Sequence, residues 1–421
     1  MVCVTRTTSR HYTHYEAGKT RRQSMASMAR AVVCAAILSV LHVAGACQSE
    51  LDCTLSGACV KSSCVCDKPW TGPTCASLKL KPARYAKPFS PHSDQAGLRY
   101  TWGAAPFYDT ANGRVCFYFT WLLSYPDGND TRPVPWNDTV SGSLGLACSN
   151  SVHGPFAVVK TVAFPFRRSN FDAAYIENCV LTYSKENGGY LLAYTTAPSN
   201  ETRNTKNWEG NGGQPTPSSV NGLEYIGVAF SKSPLGPWER LNATLLPPDW
   251  GGFEQGVANN PAVLWFPNGT LTVAYRGARD DGFGNCVAKS WRDACVRPKK
   301  NLFPDPRWVG TEDAFTYKSK RGYIMIAHTF KKHNCTGGGL RCGAGVKAVS
   351  EDGLHWTYVS DAAYTYDMTL QNGTVLHFNR REEPKLLIDE ETQRPVALFN
   401  VVDDSFLYNS SHIIVQELDY S

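Results

Sequence analysis

Acidic residues gather just ahead of four similar aromatic-rich stretches of the 421-residue chain: Asp172 and Glu177, Glu254, Glu312 and Asp313, and Glu382 and Glu383. Two carboxyl groups that face one another, one protonated and one ionised, can cleave a glycosidic bond. The first serves the leaving oxygen, and the second activates water or attacks directly. Each acid also has a plainer reading as a solvated strand end, and Asp313 as a turn residue. Arginines stand close by, in AYRGARDDG at 274–282 and FNRREEPKLL at 378–387. A guanidinium such as that of Arg276, Arg380 or Arg381 can fork onto a carboxylate or vicinal hydroxyls, or can pair with neighbouring Asp280, Asp281, Glu382 and Glu383. Trp102, Trp308 and Asn260 complete the candidate set, the indoles as stacking faces for a sugar or as core residues.

The elements that would position these groups form a repeat. A strand carrying Pro or small residues runs into a turn and then into an aromatic-rich strand. The copies are APFYDTANGRVCFYFTWL at 105–122, NCVLTYSKENGGYLLAYT at 178–195, NPAVLWFPNGTLTVAYRG at 260–277, EDAFTYKSKRGYIMIAHT at 312–329 and EPKLLIDEETQRPVALFN at 383–400. A second hairpin follows several of them, in ACSNSVHGPF at 147–156, AFSKSPLGPWERL at 229–241 and AVSEDGLHWTYV at 348–359. Two hairpins per copy over five copies predict an all-β, five-bladed propeller across 95–421, with no helical period sustained anywhere. A β-sandwich would lack this self-similarity. In a propeller the innermost strands line the axis, so the segments near Trp102, Glu177, Asn260, Glu312 and Glu383 should converge there.

GxYxLxY-like second strands followed by SxSxxGPW turns resemble the five-bladed propeller of glycoside hydrolase family 43 and its clan relatives, which act on furanosides and other plant-type glycans. The resemblance implies Glu312 as general acid, because TEDAFTYKSKRGYIMIAHT parallels the family segment in which a Glu opens the fourth blade. It also implies a general-base Asp at the opening of blade one. There the sequence reads RYTWGAAPFYD, with no carboxylate between Arg99 and Pro106. Glu177 and Glu383 are the substitutes, with Asp313 beside the acid and Trp102, Asn260, Arg276, Trp308 and Arg381 as sugar-binding candidates. Two functions stay open: a glycoside hydrolase, or a degenerate propeller that binds carbohydrate without cleaving it. Neither needs a cofactor. His153, His328 and His355 lack ligand spacing along the chain, so no metal is indicated.

Composition bounds the remaining possibilities. Hydrophobic residues make up 42%, charged residues 19%, and 35 Gly and 25 Pro fit a folded, turn-rich protein rather than a disordered one. The formal charge of +5 resides in residues 1–30, where Arg6, Arg10, Lys19, Arg21, Arg22 and Arg30 face Glu16 alone. The rest is neutral, which removes support for a nucleic-acid groove. The apolar run Ala31–Ala46 is short for a membrane span and ends in Ala44-Gly45-Ala46, so residues 1–46 read as a signal peptide cleaved before Cys47, with a retained type II anchor as the alternative. Fifteen cysteines and eight N-glycosylation triplets, at Asn129, Asn137, Asn200, Asn242, Asn268, Asn334, Asn372 and Asn409, point to the secretory pathway. Cys116 with Cys148, Cys286 with Cys295 and Cys335 with Cys342 read as staples, leaving Cys179 odd.

Six cysteines crowd into residues 47–77, and the last three read C-x-C-x5-G-x2-C. Counting leaves 15 pairings open. The spacing resembles an epidermal growth factor-like module, which implies Cys47–Cys59, Cys53–Cys64 and Cys66–Cys75, a role in spacing or docking, and no chemistry. Residues 78–94 then read as a linker.

Overall fold

The computed structural model describes residues 47–89, 99–123, 143–165, 167, 171–172, 175–197, 224–249, 253–277, 283–298, 303–308, 310–329, 345–403 and 411–421. The leader, the Cys335 and Cys342 pair and the triplets at Asn129, Asn137, Asn200, Asn334 and Asn409 lie outside them.

The described chain is all-β, with a five-bladed propeller of antiparallel sheets. Blade one comprises Arg99–Asp109, Arg114–Leu123, Leu144–Ser149 and Ala157–Phe164, and blade two Ile176–Ser184, Gly189–Thr196, Tyr225–Ser231 and Glu239–Arg240. Blade three has Asn259–Trp265, Leu271–Arg276 and Phe283–Ala288, widened by a bridge from Val287 to Val296. Blade four has Thr311–Lys318, Tyr323–Thr329, Gly345–Ser350 and Thr357–Tyr364, and blade five Arg380–Ile388, Pro395–Asp403 and His412–Glu417. The first strand of each blade neighbours the first strand of the next, and that of blade five returns to blade one, so the ring closes around one axis. Central strands are apolar on both faces because each is covered by two adjacent blades; Gly189–Thr196 is buried throughout.

The segment read as a linker does more than connect. Leu80 bridges Leu418 and Phe89 bridges Ile413, so the chain preceding blade one supplies the outer edge of blade five. Phe89 is fully buried against Phe117 and Phe119 of blade one, which ties the two ends of the ring together.

One irregularity recurs in all five innermost strands. Two residues oppose one on the partner strand, and the first of the two has positive φ: Gly103, Asn178, Asn260, Asp313 and Glu383. Gly, Asn and Asp are the residue types that tolerate this conformation. The second bulge residue is small or Pro: Ala104, Cys179, Pro261, Ala314 and Pro384. Cys179 is therefore a small buried residue in a bulge, unpaired with other cysteines, and burial pushes its thiol up to about 12, far from a nucleophile's range.

The bulges correct the alignment of the repeat. Asp313, rather than Glu312, is equivalent to Asn178, Asn260 and Glu383. The residues one place earlier, Trp102, Glu177, Asn259, Glu312 and Glu382, form a set of their own. Successive side chains of a strand point to opposite sides, so this one-residue shift decides which acid faces which space.

At the N-terminal end, disulfides join Cys47 to Cys59, Cys53 to Cys64 and Cys66 to Cys75. Two more, Cys116–Cys148 and Cys286–Cys295, staple blades one and three. The small module is docked on blade four. Lys347 of the blade is fully buried; its Nζ donates to Thr54 Oγ1 (2.9 Å), Ser56 Oγ (2.6 Å) and the Cys75 carbonyl (3.0 Å), and lies 3.6 Å from the centre of the Trp70 ring. Arg321 pairs with Asp67 at 2.5 Å, and also with Glu50. Leu55 and Trp70 share one apolar cluster with Tyr317 and Ile324 of the blade. A buried ammonium group is costly without such partners, so module and blade depend on each other. Truncating the nearly buried Trp70 to Ala should cost about 3–5 kcal/mol and lower the midpoint of a single unfolding transition shared by module and propeller. Calorimetry checks this, and two separately melting units would contradict the coupling.

Candidate active site

Two rings of side chains meet at one mouth of the axis. The inner ring is the set of left-handed bulge residues. Asn178 Nδ2 donates to Asn260 Oδ1 (2.6 Å), Asn260 Nδ2 donates to Asp313 Oδ1 (2.5 Å), and Lys385 Nζ donates to Glu383 Oε2 (2.9 Å). Asn260 thus links Asn178 to Asp313 and positions the Asp313 carboxyl. Glu383 is fully buried against Lys385, a structural ion pair.

The outer ring holds Trp102, Glu177, Asn259, Glu312 and Glu382, with Arg276 and His328 opposite Asn259 and Glu312 on the second strands. Arg276 Nη1 lies 2.5 Å from Glu312 Oε2. His328 Nδ1 lies 3.8 Å from Glu312 Oε1 and 4.0 Å from Asp313 Oδ2, and its Nε2 lies 3.9 Å from Glu382 Oε1. Arg380 Nη1 is 3.5 Å from Glu382 Oε1. Asn259 Nδ2 donates to Glu224 Oε2 at 2.6 Å. Glu177 and Trp102 are half-buried at the equivalent places in blades two and one.

Burial sets the protonation pattern. Glu382 is 2% exposed, and desolvation pushes its carboxyl up to about 8; Arg380 opposes this, and the charges of Glu312, Glu383 and Asp403 reinforce it. Asp313 is pushed well above the ordinary carboxylate range by desolvation and then by Glu383 and Glu312. His328 is driven down to about 3 by burial and by Arg380 and Arg276, so its ring is neutral. At neutral pH the cluster thus holds a protonated Glu382 beside Glu312, whose ion pair with Arg276 suits the carboxylate form.

The donor atoms of Glu312, Asp313, His328 and Glu382 lie within 4.8 Å of one another, close enough to share a cation. The chain-spacing reading of the histidines did not anticipate this, because strand pairing rather than sequence proximity brings His328 among the acids. Arg276 and Arg380 already supply positive charge to Glu312 and Glu382.

Several candidates take other roles. Arg381 is fully buried, donating to Asn400 Oδ1, Gln416 Oε1 and the Thr365 and Asp367 carbonyls, and it supports blade five; Arg380 is the arginine beside the acids. Trp308 is 1% exposed, edge-on to Phe283, Phe303 and Tyr358, and is a core residue. Glu254 is bound by Arg297 and Tyr275, and Asp172 by Arg167, Arg240 and Tyr194, so neither belongs to the mouth.

No protein-family model matches the sequence, and no curated protein matches it. Solved structures do resemble the fold. Zg3597, a family 117 glycoside hydrolase produced by the marine bacterium Zobellia galactanivorans, aligns over 82% of this chain and 91% of its own at TM-score 0.52 and 13% identity. A structure from the GH130 family of mannoside phosphorylases, described as containing glycoside hydrolases that target β-1,2 mannosidic linkages in Candida mannan, aligns over 83% and 96% at TM-score 0.50 and 11% identity. CoXyl43, a GH43 β-xylosidase/α-arabinofuranosidase from a compost microbial metagenome, aligns over 81% and 96% at 0.47 and 15%. At such identities the likeness is one of fold.

The buried Glu382 makes a stability test possible. Its folded value lies above its unfolded one, so its contribution to stability is complete at low pH and is lost as pH rises from about 4.3 towards 8. Glu382→Gln cannot ionise. Its melting temperature relative to the unmodified chain should therefore rise by several degrees between pH 6 and pH 9, in about the proportion that one kcal/mol gives a few degrees. A difference independent of pH would contradict the assignment.

Proposed function

We propose that the axial mouth cleaves a glycosidic bond, with Glu382 as proton donor and Glu312 as the ionised partner. The supporting observation is the contrast between the two groups: neighbouring carboxyls, one desolvated and protonated near neutrality, one paired with Arg276. The sequence resemblance assigned the acid's role to Glu312; the ion pair supports the carboxylate role instead. Glu382 transfers its proton to the glycosidic oxygen as the bond from that oxygen to the anomeric carbon breaks. One oxygen of each carboxyl lies within 4.8 Å of the other, which we read as nearer the roughly 5–5.5 Å spacing of a retaining pair than the roughly 6.5–9.5 Å that admits water between an inverting pair, and so as favouring direct attack by Glu312. Water, losing its proton to the Glu382 carboxylate, then releases the sugar with retained configuration. Asn260 and Asn178 hold Asp313, and the neutral His328 ring stands within 3.9 Å of both carboxyls without adding charge. The fold shared with glycoside hydrolases supports a glycan as ligand.

Glu382→Gln should lower kcat/KM on a poor leaving group by roughly 10²–10⁴-fold and spare kcat/KM, but not kcat, on activated aryl glycosides, because release of the sugar still needs Glu382 as base. Glu312→Gln should lower kcat/KM on both. In the unmodified chain, hydrolysis should decline as pH rises through about 8, where Glu382 loses its proton. Product configuration, read by proton NMR of fresh digests, checks the retaining course. A second reading, binding without cleavage, is favoured by Trp102 at the blade-one position, where no carboxylate stands. Saturable binding of arabinan, xylan or galactan fragments with no turnover by the unmodified protein would establish it in place of hydrolysis.

We also infer a secreted or luminal protein whose disulfide module is epidermal growth factor-like, as five disulfides among the described residues require an oxidising compartment. Acceptors Asn242, Asn268 and Asn372 are exposed. Protein from eukaryotic cells should lose mass on treatment with an N-glycan-removing amidase; an unshifted band would contradict secretion.

A further inference from the structure

The innermost strands end at a second mouth, opposite the acids. Glu312 lies at the start of its strand and Lys318 at the end. This mouth opens on a cavity of 960 Å³ lined by all five blades and by the disulfide module. Its size falls within the roughly 300–1,000 Å³ of small-molecule sites. Its walls are aromatic: Trp70, Tyr183, Trp265, Tyr317 and Tyr323 line it, and Tyr183 is braced by Tyr190 at 4.8 Å between ring centres.

The charges on its rim are unequal in what they do. Lys68, Lys185, Lys318, Lys320 and Arg394 are exposed, and among the described residues none forms an ion pair. The acids are more engaged. Asp67 is held by Arg321, and Glu390 accepts the Tyr190 hydroxyl proton at 2.9 and 2.8 Å, leaving Glu186, which accepts from Ser184, and Glu391. Five cations from the module and three different blades thus stand around the half-buried Tyr183, Trp265 and Tyr323 without ion pairs of their own.

We propose that this second mouth binds an anionic oligosaccharide, with sugar rings against the aromatic wall around Trp265 and carboxylate or sulfate groups on the rim cations. The site is independent of cleavage at the other mouth.

Isothermal titration of the full chain tests it with three probes: trigalacturonate, a heparin-derived tetrasaccharide and neutral maltotriose. At least one anionic probe should bind saturably, and maltotriose should bind at least about tenfold more weakly. Affinity should fall as ionic strength rises from about 0.01 to 0.15 M. The exposed pair Lys318→Glu and Lys320→Glu should weaken binding roughly tenfold or more without unfolding the protein, and Trp265→Ala should do likewise. Glu382→Gln should bind as the unmodified chain does, which separates this site from the acid cluster. Uronate binding without heparin binding, or the reverse, identifies the anionic group. Equal binding of maltotriose, binding that survives both the Lys and the Trp changes, or no saturable binding overturns the proposal.

Discussion

A single left-handed residue in each innermost strand fixes the direction of every side chain at the axis. A regular strand would alternate side chains through the whole sheet. The bulge inserts one extra residue, so the residue before it aims at the mouth and the bulge residue itself turns inward. Gly103 meets this demand without a side chain. Asn178, Asn260 and Asp313 meet it with short polar groups that then hydrogen-bond to one another across blades. Glu383 is the exception, a longer residue at φ 51° whose carboxylate is held by Lys385. The site's chemistry depends on this repeated geometry, because it packs Glu312 and Glu382 around His328 and takes Glu382 out of water.

The same geometry explains what could be read in the sequence. The five aromatic hairpins carried the architecture, since their self-similarity survives wherever a strand must be apolar on both faces. Site residues were legible only to within one position. The EDAF and EPKL segments align by eye on their acids, but the bulges align Asp313 with Glu383 and Glu312 with Glu382, exchanging a buried structural ion pair for the acid facing the mouth. An Asn, Asp or Gly followed by a small residue or Pro was the available signal. The place of His328 among the acids was beyond reach, because its pairing with Glu312 within blade four sets it; Arg380 was legible as a partner of Glu382, whereas Arg381 and Trp308 misled because type and spacing do not distinguish a packed arginine or tryptophan from one facing a ligand.

The disulfide module and the segment after it belong to the same cooperative design. Lys347 exchanges water for two hydroxyls, a carbonyl and the Trp70 ring. Residues 80 and 89 then bridge the final strand and close the ring. The module thus forms part of the wall at the mouth opposite the acids, and the oxidised cysteines that make so small a unit foldable also stabilise the propeller on which it rests.

The proposed cleavage requires a protonated Glu382 beside an ionised Glu312 at neutral pH. Infrared difference spectroscopy of the unmodified chain against Glu382→Gln measures this directly through the carbonyl stretch of a protonated carboxylic acid. This band should belong to Glu382 at pH 6 and disappear as pH rises through about 8. Its absence at pH 6, with Glu382 already ionised, would rule out Glu382 as the proton donor.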